Sequence, residues 1–320
     1  DRIADLLGRM TLEEKADQLH QCGIGDANPN NVLVRQDELR PTYGSFILNG
    51  HDASLELRNL IQHRCVEESR LGIPAIFGCD VLHGYRAIFP IPLAQACMWD
   101  EELVRRACEA AGEMARAQGV DWTFAPMVDV SRDPRWGRVI EGAGEDPMLA
   151  SAFAAARVRG YRKGGLATSV KHFVGYGAPE GGRDYNGAEI STPELMDRYL
   201  PPFKAALDAG SDTVPVTMNR RLVTGLLKKR LGFDGIVTSD FVAIGELVNH
   251  GVAADLEAAV SLAMNAGIDL DMESQGYSRY LEKAVRERRI SMAAIDDAVR
   301  RVLRVKYRLG LFDLPKDHFA

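Results

Sequence analysis

The sequence predicts an α/β chain closed into a (β/α)8 barrel of the TIM type, and three observations carry that prediction. Short apolar segments alternate with longer ones of three- and four-residue apolar spacing, from one end of the 320-residue chain to the other. The longer segments are long enough to be the crossover helices that parallel strands require. No Gly/Ser- or Pro-rich linker and no tandem repeat divides the chain. One barrel domain over residues 1–320 is therefore expected, with a doubly wound sheet as second choice.

The strand candidates are "GSFIL" (44–48), "AIFGCDV" (75–81), "TFAPMVDV" (123–130), "TSVKHFV" (168–174), "SDTVPV" (211–216), "GIVTSD" (235–240) and "GIDLDM" (267–272). These are seven where a closed barrel needs eight, so an eighth is hidden or lost. Between them lie helical segments such as "DASLELRNLIQHRCVEESR", "DEELVRRACEAAGEMARAQ" and "DPMLASAFAAARVRGYRK". Asp100 and Thr192 are placed to cap helices, with Pro193 at a favoured first helical position. The final block, "SMAAIDDAVRRVLRVKYRLGLFDLP", reads as a long amphipathic helix closed by Gly310. One strand is expected to be irregular. Pro215 in "SDTVPV" removes an amide donor where a central parallel strand needs it.

Composition narrows the function classes. The chain is 46% hydrophobic and 26% charged, ordinary for a soluble globular protein. It has no apolar run of about 18 residues, which argues against a membrane partner. A formal net charge of −6 without like-charge blocks argues against nucleic acid. The N-terminus lacks the basic and apolar regions of a signal peptide, so any such peptide is expected to have been removed. The five cysteines show no metal-type spacing, and their odd number leaves at least one outside any intrachain disulfide. P-loop, dinucleotide-fingerprint and HExxH patterns do not occur, so no metal and no organic cofactor is expected. No signal bears on oligomeric state.

In a barrel of this type the chemistry sits at the C-terminal ends of the strands. The second predicted strand runs into "CDVLHGYR", with Asp80, His83 and Arg86. The third is followed by "SRDPRWGRVIEGAGEDP", with Arg135, Arg138 and Glu141. The fourth ends with Lys171 and His172 and enters the glycine-rich loop "GYGAPEGGRDYN", which holds Glu180. The sixth ends at Asp240, followed by Phe241. Each residue also has a plain structural reading. Asp240 could cap the next helix, Lys171-His172 could form a buried ion pair, and Arg135 could pin a loop. Convergence from four strand ends favours a site.

The blocks "DVLHGYRAIFPIPLAQACMWD", "DPRWGRVIEGAGEDP", "VKHFVGYGAPEGGRDYN" and "GFDGIVTSDF" closely resemble, in order, the successive blocks of glycoside hydrolase family 3 on its β-glucosidase side. The likeness extends from "MTLEEKADQL" to "LGLFD". It implies a retaining, exo-acting β-glycosidase that removes terminal β-linked glucose from oligosaccharides or glycosides through a covalent glycosyl-aspartate. It also implies a periplasmic or secreted protein. Asp240 matches the nucleophile. Asp80, Arg138, Lys171 and His172 match the groups that hold the sugar's hydroxyls, and Phe241 matches an aromatic wall. A retaining glycosidase needs an ionised carboxylate as nucleophile. Nearby Arg138, Lys171 and His172 are expected to keep Asp240 ionised. The pattern "KHFPGHG" of another branch carries a His where this chain has Tyr176, which favours the glucosidase branch. The resemblance further implies a cis peptide at Lys171-His172 or Phe173-Val174.

Two departures from the family shape the remaining expectations. Glucosidase relatives take their acid/base from a second, C-terminal α/β domain that has no counterpart in these 320 residues. Within the chain, Glu141 and Glu180 are the nearest candidates by position, and the chain alone is expected to have negligible activity on cellobiose. The block "SDTVPVTMNRR" is shorter than its counterpart, and a strand joined directly to Pro215 is expected to damage the barrel. A sugar-binding barrel with little hydrolysis is therefore the alternative function. A more remote one is a Schiff-base aldolase using Lys171.

Overall fold

Besides a two-residue antiparallel hairpin (Gly84–Tyr85 with Ala87–Ile88), the described residues of the computed structural model form eight short strands: β1 (His20–Gly25), β2 (Ser45–Asn49), β3 (Ile76–Cys79), β4 (Trp122–Thr123), β5 (Ala167–Thr168), β6 (Thr213–Val216), β7 (Ile236–Ser239) and β8 (Asp271–Met272). The structure describes residues 2–25, 39–49, 54–216 and 218–313. Asp52 and Ala53 of one predicted helix, Thr217, and the final Leu314-Pro315 of the last predicted block lie outside them. The strand absent from the predicted set is β1. Its sequence, "HQCGIG", opens with two polar residues and carries a single β-branched one, so neither alternation nor an apolar run marks it. His20 and Gln21 are nonetheless fully buried. Every later strand therefore stands one place further along, and Asp240 follows the seventh strand.

The backbone divides into two compact units, Asp1–Cys79 with Met218–Ala320, and Asp80–Thr217. In the first unit β8, β1, β2 and β3 pair in parallel, with His20 opposite Asp271, Cys22 opposite Phe46 and Ser45 opposite Ile76. A further parallel bridge, Thr238 to Leu270, extends β7 toward β8. Phe46 and Phe77 stack with centroids 5.7 Å apart on one face, and the Arg58 guanidinium lies over Phe77. The predicted last helix spans Met292–Arg308 and buries Ile295, Ala298, Val299, Val302 and Leu303, the apolar stripe its spacing requires. Ser291 caps it and Gly310, at φ 69°, follows it. Lys306 on the same helix is fully buried and donates to Gln18 Oε1 at 2.6 Å.

In the second unit β4 pairs in parallel with β5, and parallel bridges continue at Met127–Lys171, Ser169–Thr213 and Phe173–Val216. Pro215 does not interrupt β6, contrary to expectation. On this edge the strand is joined through carbonyls: Thr213 O accepts from Val170 N and Pro215 O from Phe173 N. A proline lacks only the donor, so it serves here as well as any residue. The helices Glu101–Arg116 and Pro147–Lys163 pack closely because Gly160 has no side chain; a Cβ there would lie 2.3 Å from Arg105 O. Asp100 caps the first of them as expected, accepting from Leu103 N. The other predicted cap moves by one residue: Ser191 accepts from Glu194 N, and Thr192 is already helical. No helix among the described residues is long and apolar enough to cross a membrane.

Candidate active site

The second unit brings most of the predicted site residues together. Asp80 follows β3 directly, and its exposed carboxylate receives Lys171 Nζ at 3.2 Å. Lys171 itself is buried, so its ammonium is delivered to the surface at one point. The next residue, His172, is fixed twice by Asp129. Both the His172 amide and its Nδ1 meet Asp129 Oδ2, at 2.7 and 2.9 Å. A carboxylate acceptor requires the proton on Nδ1, which turns Nε2 to the opposite side of the ring. The peptides Lys171-His172 and Phe173-Val174 are both cis, as the resemblance implies.

Arg138 and Glu141 sit in the tight turn Gly137–Glu141, a 3₁₀ helix in which residues three apart share a face. Their side chains therefore meet fork to fork, with Arg138 donating at 2.6 and 2.9 Å to the two oxygens of Glu141. Burial alone would raise the Glu141 pKa, but the bonds from Arg138 and the charges of Arg138, Lys171 and His172 outweigh it and hold the carboxyl below its usual range. Arg138 moves the other way: burial opposes its charge, yet the Glu141 carboxylate raises its pKa. Glu141 is thus an ionised partner of Arg138, which disfavours it as a proton donor.

Tyr176 ties this cluster together. Its ring meets the edge of His172 at 4.8 Å and of Trp136 at 5.4 Å, and the Arg138 guanidinium lies 5.5 Å from its centroid. The loop that carries it lies close to the preceding one because Gly177 has no side chain; a Cβ there would come within 2.3 Å of Val130 O. Of the other predicted residues, Glu180 is exposed, with its amide bonded to Gly187 O. Arg86 is exposed at φ 60° and donates to Gln118 Oε1 at 2.9 Å.

Asp240 and Phe241 belong to the first unit. Asp240 is half-buried after β7, and its Oδ1 accepts from the adjacent Phe241 amide at 2.8 Å. The helix that follows, Ala243–Asn249, begins at Val242 without any side-chain cap. The plain reading of Asp240 as a helix cap therefore fails. Phe241 beside it is 38% exposed.

Sequence reasoning missed Asp129. The signal was present, since "APMVDVS" places one acid inside an apolar strand segment. A buried carboxylate there demands a partner, and His172 supplies it. Among the described residues no group of three or more His, Cys, Asp or Glu side chains is arranged to hold a metal ion.

Parallel strands joined by helices, with ionisable side chains at the strand ends, define an α/β protein of the (β/α)8 class. Residues 11–305 match the Glycosyl hydrolase family 3 N terminal domain, and the chain belongs to that family. It is 40% identical over 99% of its length to a periplasmic β-glucosidase of Salmonella typhimurium, covering 43% of that protein. It is 33% identical over 98% of its length to a putative β-xylosidase of Formosa agariphila, covering 46% of it. Among solved structures, the β-glucosidase of Listeria innocua in complex with isofagomine superposes with a TM-score of 0.91 at 37% identity. That match covers 98% of this chain and 47% of the other. The same enzyme in complex with glucose gives 0.92 at 36% identity, over 99% and 48%. The chain thus spans a little under half the length of these relatives.

Proposed function

We propose that this chain is the barrel of a retaining, exo-acting β-glucosidase, with Asp240 as nucleophile and Asp80, Arg138, Lys171 and His172 as the grip on the terminal sugar. The observation that carries the reading is the position of Asp240, a half-buried carboxylate directly after β7, in a chain of this family. Asp240 attacks the anomeric carbon as the glycosidic bond to the leaving oxygen breaks, forming a glycosyl-aspartate ester. Water then displaces the aspartate, and the sugar leaves with its starting configuration. The leaving oxygen takes up a proton from an acid other than Glu141, whose carboxyl Arg138 holds ionised.

Charged partners suit a neutral sugar, because hydrogen bonds with one ionised member are about twice as strong as neutral ones. The Asp80–Lys171 pair presents an acceptor and a donor at one point, and Phe241 offers an apolar wall to a sugar ring. The ion pair also counts against Lys171 as a Schiff-base nucleophile, since an amine must shed its proton to attack a carbonyl. Terminal glucosides are the substrate class, glucose and isofagomine are suitable probes, and a periplasmic location follows by likeness to the Salmonella relative. Treatment with a 2-deoxy-2-fluoroglucosyl fluoride, followed by peptide mass mapping, tests the reading. A label on Asp240 is expected. A label on any other carboxylate overturns the assignment.

A further inference from the structure

The Asp184 carboxylate lies outside every role assigned so far, yet two aromatic donors from different loops converge on one of its oxygens. Tyr176 donates its phenol to Asp184 Oδ1 at 2.6 Å, and Trp136 donates Nε1 to the same atom at 2.8 Å. Trp136 is fully buried and immediately precedes the turn that carries Arg138 and Glu141. Tyr176 stands four residues beyond His172. From these contacts we infer that Asp184 is a positioning residue: it clamps the loop after β5 onto the loop after β4 and so sets the spacing between the two sugar-gripping groups Arg138 and His172.

The Tyr176 ring touches both groups. That ring lies between the two groups, at 4.8 Å from His172 and 5.5 Å from the Arg138 guanidinium. A phenyl ring held only by edge contacts can tilt; a ring whose hydroxyl is tethered cannot do so without breaking the tether. The tether ends on a carboxylate that is itself anchored by a buried indole. Three aromatic planes meeting at steep angles, 70° for Tyr176 on His172 and 87° for Tyr176 on Trp136, leave the ring little room to rotate. One backbone bond, Arg132 N to Gly177 O at 3.0 Å, joins the same two loops. Asp184 therefore adds a second side-chain tie, further out along the loops than the Asp129–His172 pair. Burial alone would raise the Asp184 pKa, but the bonds from Tyr176 and Trp136 and the charge of Arg138 lower it, so Asp184 serves as an acceptor and not as a proton donor.

The sugar-binding part of the test rests on the proposed function; the resonance part does not. The protein and its Asp184→Ala, Asp184→Asn and Tyr176→Phe variants are compared in two measurements. Glucose titration at a temperature where all are folded reads the dissociation constant, and ¹⁵N-resolved spectra read the His172 imidazole and Trp136 indole. In Asp184→Ala the Tyr176 hydroxyl and the Trp136 indole lose their shared acceptor. Glucose binding is expected to weaken about tenfold, and the His172 ring signals to shift and broaden. Asp184→Asn keeps one acceptor oxygen and should recover most of the affinity. Tyr176→Phe keeps the ring, loses its tether, and should change both readouts in the same direction by less. A merely stabilising role would lower the melting temperature of Asp184→Ala and leave both readouts of the folded protein unmoved, which overturns the inference. Should Asp184→Ala not fold, wild-type values in Tyr176→Phe overturn it equally. If the unsubstituted protein binds no glucose, the sugar-site reading fails, and the His172 signals alone decide the clamp.

Discussion

Asp129 accepts two hydrogen bonds from His172 on one carboxylate oxygen, one from the backbone amide and one from the ring. Backbone position and ring orientation are thus set by the same buried atom, and neither can shift without the other. Such double anchoring replaces the freedom of a surface imidazole with one orientation, which is what the proposed contact with a sugar hydroxyl requires.

The first prediction concerns that anchor. Asp129→Ala leaves a buried amide and a buried ring nitrogen without their acceptor, each costing about 1–3 kcal/mol. Urea unfolding should show a loss of about 2 kcal/mol or more, and glucose affinity should fall with it. Asp129→Asn keeps an acceptor oxygen and should lose less on both counts. Unchanged stability in the alanine variant would show that the anchor is dispensable.

The nucleophile assignment gives the second prediction. In the full-length protein, Asp240→Asn should lower turnover of an aryl β-glucoside by about 10⁴-fold or more, the scale seen when a covalent nucleophile is removed. Asparagine keeps the shape and an oxygen to accept from the Phe241 amide, so the melting temperature should barely move. Activity retained within a few-fold of wild type would refute the role.

Glu273 supplies a prediction about pH. It follows β8, is 8% exposed, and its pKa is pushed up to about 7 by burial and by the neighbouring Asp271, against a backbone hydrogen bond from Gly23. A carboxyl that prefers its neutral form when folded contributes stability that is complete below about pH 4.5. That contribution is lost as pH rises through about 7. Glu273→Gln removes the titration while keeping the shape. Relative to the parent it should gain up to about 3 kcal/mol in urea unfolding at pH 8, and nothing at pH 4. An equal difference at both pH values would rule out Glu273 as the source.

A fourth prediction follows from the closeness of the two loops. Gly177→Ala would set a Cβ 2.3 Å from Val130 O and 3.2 Å from Asp129 Cβ, so the loop after β5 must move outward. Overpacking of this kind costs about 1–3 kcal/mol. Glucose affinity should fall as well, because His172 and Tyr176 lie on the same segment. Wild-type melting and affinity together would show that the loop yields freely.

The fifth tests the fork between Arg138 and Glu141. Lysine carries a charge but no planar pair of donors, so Arg138→Lys cannot make both bonds to Glu141. The expected result is weaker glucose binding by about tenfold, with the melting temperature lowered by a few degrees. Full affinity in this variant would mean that charge alone suffices there.

What the sequence determined by itself was whatever depends on neighbours in the chain. Seven strands were legible as apolar segments, and Asp80, Lys171, His172 and Asp240 were legible because each sits at the end of one. The amphipathic stripe of Met292–Arg308 and the cap at Asp100 are also local, and both form as their spacing requires. Tertiary structure decided what depends on residues far apart. β1 is a strand because its polar His20 and Gln21 are buried between β8 and β2, a context its own six residues do not announce. Pro215 is tolerated because its carbonyl, not its missing amide, faces β5's continuation. The partner of His172 stands 43 residues away at Asp129, and that of Trp136 stands 48 residues away at Asp184. A one-dimensional pattern records which side chains a strand end carries. The distances and angles that make them a site arise only when separate loops are packed against each other, and hydrogen bonds of 2.6–2.9 Å then select one arrangement among many.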